Sequence, residues 1–168
     1  MTSAAMSRKS EEVERAERVG DGPSWTPDDL GRAMIRGIAD GELQRVDPPV
    51  DHLFADGIYQ RRIYCEAGTV VVTMRHLTEH ITEVNCGTCE VVDGDGNRRV
   101  VTGGERFVTP SGTQRMVRCL TDAIWTTTHK NPDNLRDIES IEAYVFDDTL
   151  DDDKVAMLGD RPKMRITQ

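Results

Sequence analysis

Two histidines four residues apart, with a glutamate before the second, form the segment His76-Leu-Thr-Glu79-His80. Imidazoles and carboxylates are usual zinc ligands, and on a helix the pattern H-x-x-E-H is typical of the inverted zinc peptidases. The segment therefore raises two questions: whether a metal is bound here, and which backbone geometry would place the two histidines together.

The residues around the two histidines favour strands. The flanks TVVVTMR and ITEV are rich in β-branched residues, which lose rotamer freedom in a helix and pack well on a sheet. On one straight strand the histidines would lie about 13 Å apart, too far for bonds of about 2 Å to a single ion. In a hairpin with residues 77–79 as its loop, they would face each other with Cβ atoms roughly 5 Å apart. We therefore expect a hairpin with His76 and His80 as metal ligands, and not a peptidase helix.

Alternation along these strands predicts an inner face that is apolar except at its histidine end, as in a barrel with a site at its mouth. Besides His76 and His80, this face would contain Val70, Val72, Met74, Thr82, Val84 and Cys86.

Charge and composition exclude several classes of function. The chain has 168 residues and a net charge of −9, which argues against nucleic-acid and anionic-membrane partners. No run approaches the roughly 20 apolar residues of a membrane span, and the N-terminus lacks the apolar core of a signal peptide. We expect a cytoplasmic protein with four reduced cysteines, and we expect the Cys86-Gly-Thr-Cys89 pair to be buried thiols.

Three segments are predicted along the chain: a disordered N-terminal arm (1–24), one domain with flanking helices (25–146), and an acidic C-terminal tail (147–168). A helix should start after the N-cap Thr26 and end near Asp40-Gly41, and a second should start at residues 131–133. Between them, residues 58–129 should form seven or eight short strands. Hairpin turns are expected at three places, namely residues 93–97, Gly103-Gly104 and Thr121-Asp122.

Residues 52–129 contain two motifs that resemble those of the cupin superfamily. Gly68, a valine-rich strand, His76, His80 and then Gly87 resemble the first cupin motif. The segment from Gly104 through Pro110 and Gly112 to Arg115 resembles the second, G-x5-P-x-G-x2-H, except at its last residue. The resemblance implies an all-β double-stranded β-helix, or jelly-roll barrel, with a short N-terminal and a short C-terminal helix. The chain resembles above all the small cupin proteins of tailed phages, and this resemblance implies a homodimer.

The sequence departs from the cupin ligand pattern at three positions. Met74 replaces the first histidine, His80 replaces the glutamate, and Arg115 replaces the histidine of the second motif. A third ligand could come from His129, if the strand AIWTTTH runs antiparallel to QRMVRCL and ends beside Arg115. A one-residue slip would turn His129 outward. The alternative for the three histidines is that they are polar residues at the rim of the barrel and bind no metal. Three histidines would suit zinc, iron, nickel or manganese.

Arg115 and Glu79 are the candidate catalytic residues. A guanidinium suits a carboxylate or phosphate held by two hydrogen bonds, so Arg115 could bind an anion beside the metal or replace the metal; a salt bridge to Glu79 or Glu66 is the alternative. Glu79 could act as a general base toward a bound water, or it could simply be solvated. Tyr59 and Arg61 would line the pocket or pack, and His52 is predicted to be structural.

Two functions follow from the resemblance. The first is a non-catalytic module, either a component of a phage particle or an accessory protein that binds a small anionic ligand. The alternative is a metal-dependent oxygenase, isomerase or lyase acting on a small anionic substrate. The sequence favours the first, because two of the four usual cupin ligand positions are lost.

Overall fold

The computed structural model describes residues 26–147, which form two helices and eleven strands. The helices are α1 (Pro27–Ala39) and α2 (Ile138–Val145). The strands are β1 (Val50–Ala55), β2 (Ile58–Cys65), β3 (Val70–Val72), β4 (Arg75–His76), β5 (His80–Cys86), β6 (Thr88–Val92), β7 (Arg98–Thr102), β8 (Arg106–Thr109), β9 (Met116–Cys119), β10 (Ala123–Lys130) and β11 (Phe146–Asp147). The predicted arm (1–24) and all but Asp147 of the predicted tail (147–168) lie outside the described residues.

The strands form two main antiparallel sheets whose inner faces share one core. One sheet has the order β1-β2-β10-β5-β8 and the other β3-β9-β6-β7, while β4 pairs with β11. Buried side chains from both sheets pack in a single cluster that includes Cys65, Val84, Val91, Val117 and Trp125. The predicted all-β barrel with a short helix on each side is confirmed.

Helix α1 begins and ends where the sequence predicts. The Thr26 hydroxyl accepts a hydrogen bond from the Asp29 N–H, and the Asp29 carboxylate accepts one from the Thr26 N–H. Pro27 occupies the first turn, so both partners of a capping box are present. Met34 and Ile35 are buried against Val70 of β3. The helix therefore covers the end of the four-stranded sheet.

Helix α2 begins later than predicted. Its N-cap is Asp137, whose carboxylate accepts from the backbone of Ser140. The predicted start at 131–133 is wrong because the Asn131 side chain bonds both the N–H and the carbonyl of Leu135, and it thereby holds a turn there instead. Ile141 of α2 packs with Tyr59 in a second core cluster.

Two of the three predicted hairpin turns are wrong. The turn at 93–97 does join the paired strands β6 and β7, with Asp93 accepting from the backbone of Asp95 and Asn97. The other two connect strands of different sheets. The hairpin around residues 77–79 is also wrong: β4 pairs with β11, whereas β5 pairs with β10 and β8.

Two further details differ from the sequence prediction. Strand β1, with alternating exposure, was not expected before residue 58. Cys89 is buried as predicted, but Cys86 is exposed, because β5 leaves the barrel interior after Val84. Within residues 26–147 no helix combines the length and apolar character needed to cross a membrane.

Candidate metal centre

The three predicted histidine ligands come together in the barrel. His76 ends β4, His80 begins β5 and His129 lies near the end of β10. All three are at least nine-tenths buried, with exposed fractions of 7%, 4% and 1%. Their ring centroids are 4.0 Å (His76–His80), 4.4 Å (His80–His129) and 5.6 Å (His76–His129) apart. The predicted set is thus one cluster.

The loop of the second motif positions His76. The N–H of Gly112 donates to the carbonyl of His76 at 2.7 Å, and the N–H of His76 donates to the carbonyl of Thr113 at 2.9 Å. Gly112 has a φ of 82°, a conformation that glycine adopts without the steric cost of a Cβ. On its other side His76 pairs with Phe146 of β11. His76 is therefore fixed by residues distant in sequence.

His129 reaches the site from a different strand pairing than predicted. Strand β10 pairs with β2 and β5, not with β9, and its register places His129 opposite Tyr59. The predicted alternation nevertheless holds, since Trp125 and His129 are both buried. His129 points inward because successive side chains of β10 alternate between the two faces of the sheet. This alternation is the same whichever strand β10 pairs with.

Each histidine keeps one buried ring nitrogen without a hydrogen-bond partner among the described residues: His76 Nδ1, His80 Nε2 and His129 Nε2. His80 Nδ1 lies 3.1 Å from the Thr78 carbonyl, which can only accept, so Nδ1 carries the proton and Nε2 the lone pair. His129 Nδ1 lies 3.2 Å from Thr78 Oγ1. One ligand atom from each histidine lies within 4.8 Å of the others.

This donor set fits a metal ion. A buried polar atom without a partner costs free energy, and one cation bound by all three histidines would relieve this cost. Metal-binding histidines typically hold their other ring nitrogen in a hydrogen bond, which is the role of Thr78 toward both His80 and His129.

The electrostatics keep the three rings neutral. Burial, followed by the neighbouring His80 and His129, lowers the pKa of His76 to about 2. Burial and His80 lower the pKa of His129 to about 3. The pKa of His80 is also lowered, mainly by burial and further by Arg115, against the opposing effect of its bond to Thr78. Neutral imidazole is the form that binds metals.

Arg115 lies close enough to the histidines to affect their pKa, and it has no carboxylate partner among the described residues. Its Nη1 donates to Thr109 Oγ1 at 2.9 Å, and its guanidinium stacks over Phe107 at 5.3 Å. The salt bridges to Glu79 and Glu66 that were the alternative are not formed. Burial lowers the pKa of Arg115 to about 10, helped by Arg99, so the side chain remains charged at neutral pH.

Glu79 is not brought to the cluster. It is an exposed residue of the connection between β4 and β5, and no hydrogen bond or ion pair joins it to a histidine in the described part of the chain. The predicted general-base role thus has no contact that supports it.

Sequence reasoning missed Phe146 and Thr78. Phe146 lies edge-on to His76 and His129, with centroids 5.0 Å and 5.6 Å away. Neither residue type indicates a metal site by itself, and the pairing of β11 with β4 spans some seventy residues, so no local pattern could reveal it.

Tyr59, His52 and Arg61 form the surroundings of the cluster. Tyr59 is fully buried, its ring is 6.0 Å from that of His129, and its hydroxyl lies 2.8 Å from His52 Nδ1, which agrees with a structural role for His52. Arg61 forms an ion pair with Glu142 at 3.6 Å and lies over the Phe146 ring. Its charge is therefore already balanced by a carboxylate.

A cleft of about 650 Å³ opens beside Arg115. It lies between the start of α1, the β6–β7 turn and the β8–β9 connection. The three histidines are not among its lining residues, so the cleft and the histidine cluster are distinct and share Arg115 as their common neighbour.

Comparison with known proteins gives fold-level likeness only. No family model and no curated protein matches the chain. Similar solved structures include an RmlC-like cupin from Shewanella frigidimarina, with 22% identity, a TM-score of 0.43, and coverage of 58% of this chain and 88% of that one. A Klebsiella pneumoniae protein with a double-stranded β-helix domain has 14% identity, a TM-score of 0.46, and coverage of 58% and 90%.

A salicylate 1,2-dioxygenase from Pseudaminobacter salicylatoxidans is also similar, with 17% identity and a TM-score of 0.45, over 71% of this chain and 35% of that enzyme. At such identities the likeness concerns the fold, and it carries no information about activity.

Proposed function

We propose that the protein is a cupin-fold binding module that holds one divalent metal through His76, His80 and His129 and binds the anionic group of a small ligand with Arg115. One observation carries the proposal: the three histidines each have a buried ring nitrogen without a partner among the described residues, and one ligand atom of each lies within 4.8 Å of the others. A buried, neutral three-nitrogen set is costly unless a cation uses it.

The donor atoms narrow the candidates for the metal. Imidazole suits zinc, iron and nickel, whereas manganese prefers oxygen ligands, and the described part of the chain adds no carboxylate to this cluster. With three protein ligands, a bound metal would act as a Lewis acid with coordination positions left for a ligand. Thr78 holds two of the rings in the required orientation.

Arg115 is the proposed anion-binding group because no carboxylate of the described residues lies within ion-pair distance of its guanidinium, although Asp93 is near enough to favour its charge. Arg61 also affects the histidines, but Glu142 already pairs with it. Among the described residues, the Arg115 guanidinium donates to the neutral Thr109 hydroxyl and lies over the Phe107 ring. A guanidinium in this state can bind a carboxylate or phosphate through two hydrogen bonds.

Metal content of the purified, untagged protein tests the proposal, measured by inductively coupled plasma mass spectrometry. We expect close to one metal ion per chain, and its loss in His76→Ala and in His129→Ala. His52→Ala is the matched control, since His52 bonds Tyr59 and lies outside the cluster. Full metal content in both cluster variants, with folding verified by circular dichroism, would overturn the proposal.

A second candidate is a metal-dependent oxygenase, isomerase or lyase acting on a small anionic substrate. The three-ligand cluster favours it, because a fourth protein ligand would block a substrate. The exposed position of Glu79 argues against it, because a bound water would then be the remaining candidate to move protons. Iron-loaded protein that consumes oxygen with a small carboxylate, and a Glu79→Gln variant that does not, would favour the enzyme over the binding module.

The cytoplasmic location, the homodimer and the role in a phage particle remain predictions from the sequence and its resemblance. Light scattering of the purified protein tests the dimer.

A further inference from the structure

The cleft beside Arg115 has charges of both signs in its walls. Its charged lining residues are Asp28, Arg75, Asp93, Asp95 and Arg115. Its volume of about 650 Å³ lies within the range of roughly 300–1,000 Å³ found for small-molecule sites. Size and charge together fit a small polar ligand rather than an apolar one.

Gln114 adds a side-chain amide to the polar lining of this cleft. Only 6% of the residue is exposed, and it borders the cleft. Yet its side-chain amide makes no hydrogen bond with any residue of the described 26–147 segment. An amide offers two donors and one acceptor, and at Gln114 these remain available to a molecule in the cleft. A polar molecule in the cleft would supply partners for them.

Asp28 provides the negative end of the cleft. Its Oδ1 is buried and has no hydrogen-bond partner among the described residues. Its Oδ2 is 3.7 Å from Arg75 Nη2, a long ion pair, and Arg75 also donates to the Gly112 carbonyl at 3.3 Å. Asp93, by contrast, is occupied by the β6–β7 turn, where it accepts from Asn97 and Asp95. Asp28 therefore keeps one carboxylate oxygen that no described residue uses.

Arg115 provides the positive end. Its guanidinium has no carboxylate within ion-pair distance in the described part of the chain, and it lines the same cleft. A carboxylate bound there would gain charge-assisted hydrogen bonds. A purely anionic ligand would leave the Asp28 oxygen unpaired, and a purely cationic one would leave Arg115 unpaired.

We propose that this cleft binds a small zwitterion of the amino acid class, with its carboxylate on Arg115, its ammonium group on Asp28 and its polar middle at the amide of Gln114. The inference rests on the anion-binding role proposed for Arg115, and it names the class of ligand. It does not require the metal, because the histidines do not line the cleft.

Calorimetric titration with ligands of matched length tests the inference. The probes are glycine, 4-aminobutyrate and 6-aminohexanoate, each compared with the carboxylic acid and the amine of the same carbon number. We expect at least one amino acid to bind ten times more tightly than its matched acid and its matched amine. Equal binding of acid and amino acid would overturn the zwitterion and leave the anion role of Arg115 intact. Binding of none of the probes would overturn both.

Variants separate the cleft from the metal centre. Asp28→Asn and Gln114→Ala should each reduce the preference for the amino acid about tenfold, with metal content and melting temperature unchanged. Asp133→Asn is the control, since Asp133 is exposed and remote from the cleft lining. Unaltered preference in both cleft variants would overturn the inference. If a metal-free His76→Ala variant still binds the amino acid, a failure of the metal proposal would leave the cleft proposal intact.

Discussion

The imidazole rings of His76 and His80 stack with centroids 4.0 Å apart although their two strands do not pair with each other. Segments other than residues 76–80 hold the two rings in contact. Gly112 bonds the backbone of His76, while β10 and β8 pair with the strand of His80. The site is therefore a product of the whole barrel, and it does not form from the local sequence of residues 76–80.

Thr78 should tune the metal affinity through His129. Thr78→Ala removes the hydroxyl that lies 3.2 Å from His129 Nδ1 and leaves the backbone bond to His80 in place. Loss of such a second hydrogen bond typically weakens metal binding about 10–100-fold. We expect Thr78→Ala to weaken metal binding by a factor near the lower end of this range, measured by competition with a chelator. Thr78→Ser should restore the affinity. Unchanged affinity in Thr78→Ala would show that the hydroxyl does not orient His129.

Arg115 should oppose metal binding in the absence of an anion. Its charge lowers the pKa of both His76 and His80, so it disfavours positive charge at the cluster. We expect Arg115→Gln to bind zinc several times more tightly and to lose anion affinity. The exposed Arg118 offers the control Arg118→Gln. Weaker zinc binding in Arg115→Gln would contradict this account of the electrostatics.

The stability of the metal-free protein should fall as the solution is acidified below about pH 6.5. The pKa of His129 is lowered to about 3, so in this window the unfolded chain takes up a proton at residue 129 that the folded chain does not. Each such histidine then lowers the free energy of unfolding by up to about 1.4 kcal/mol per pH unit of acidification. Above pH 6.5 residue 129 is neutral in both the folded and the unfolded chain, so its protonation no longer reduces the stability.

Urea unfolding in the presence of a chelator between pH 7 and 5 measures this loss. His129→Gln should lose stability with acid less steeply than the wild type, whereas His52→Gln should follow the wild-type slope. Parallel slopes for all three proteins would mean that His129 is not held neutral by the fold.

Gly87 should tolerate no side chain. It has a φ of 89°, and a Cβ added there would collide with the Asp122 carbonyl and with Ala123. The combination of strain and overlap should reduce the free energy of unfolding by about 2–4 kcal/mol in Gly87→Ala. Gly94→Ala is the matched control, because nothing lies within 4 Å of its added Cβ. Equal stability of the two variants would contradict the placement of Gly87.

The features that local chemistry dictates could be predicted from the sequence. The cap of α1 at Thr26, the glycine turn at Gly87 and the alternation that turns His129 inward each depend on a few neighbouring residues. The strands followed from the β-branched composition and the turn residues, and the jelly-roll arrangement followed from the resemblance of the two motifs. The three histidines were found because their residue type is specific to metal chemistry.

Strand pairing could not be predicted in the same way. Turn residues at Gly103-Gly104 and Thr121-Asp122 indicate where the chain reverses, but not which sheet it enters next. The pairing of Phe146 with His76 joins segments some seventy residues apart, and nothing in either segment encodes it. The cleft contribution of Gln114 was likewise not predictable, since the cleft is formed together with α1 and the β6–β7 turn, which are distant in sequence.

The most direct test of the central claim is an anomalous difference map from crystals of the protein grown with zinc. The account predicts one dominant peak, about 2.0–2.1 Å from a nitrogen of each of His76, His80 and His129. A map in which these three rings carry no peak, while zinc occupies surface carboxylates or cysteines alone, would contradict it.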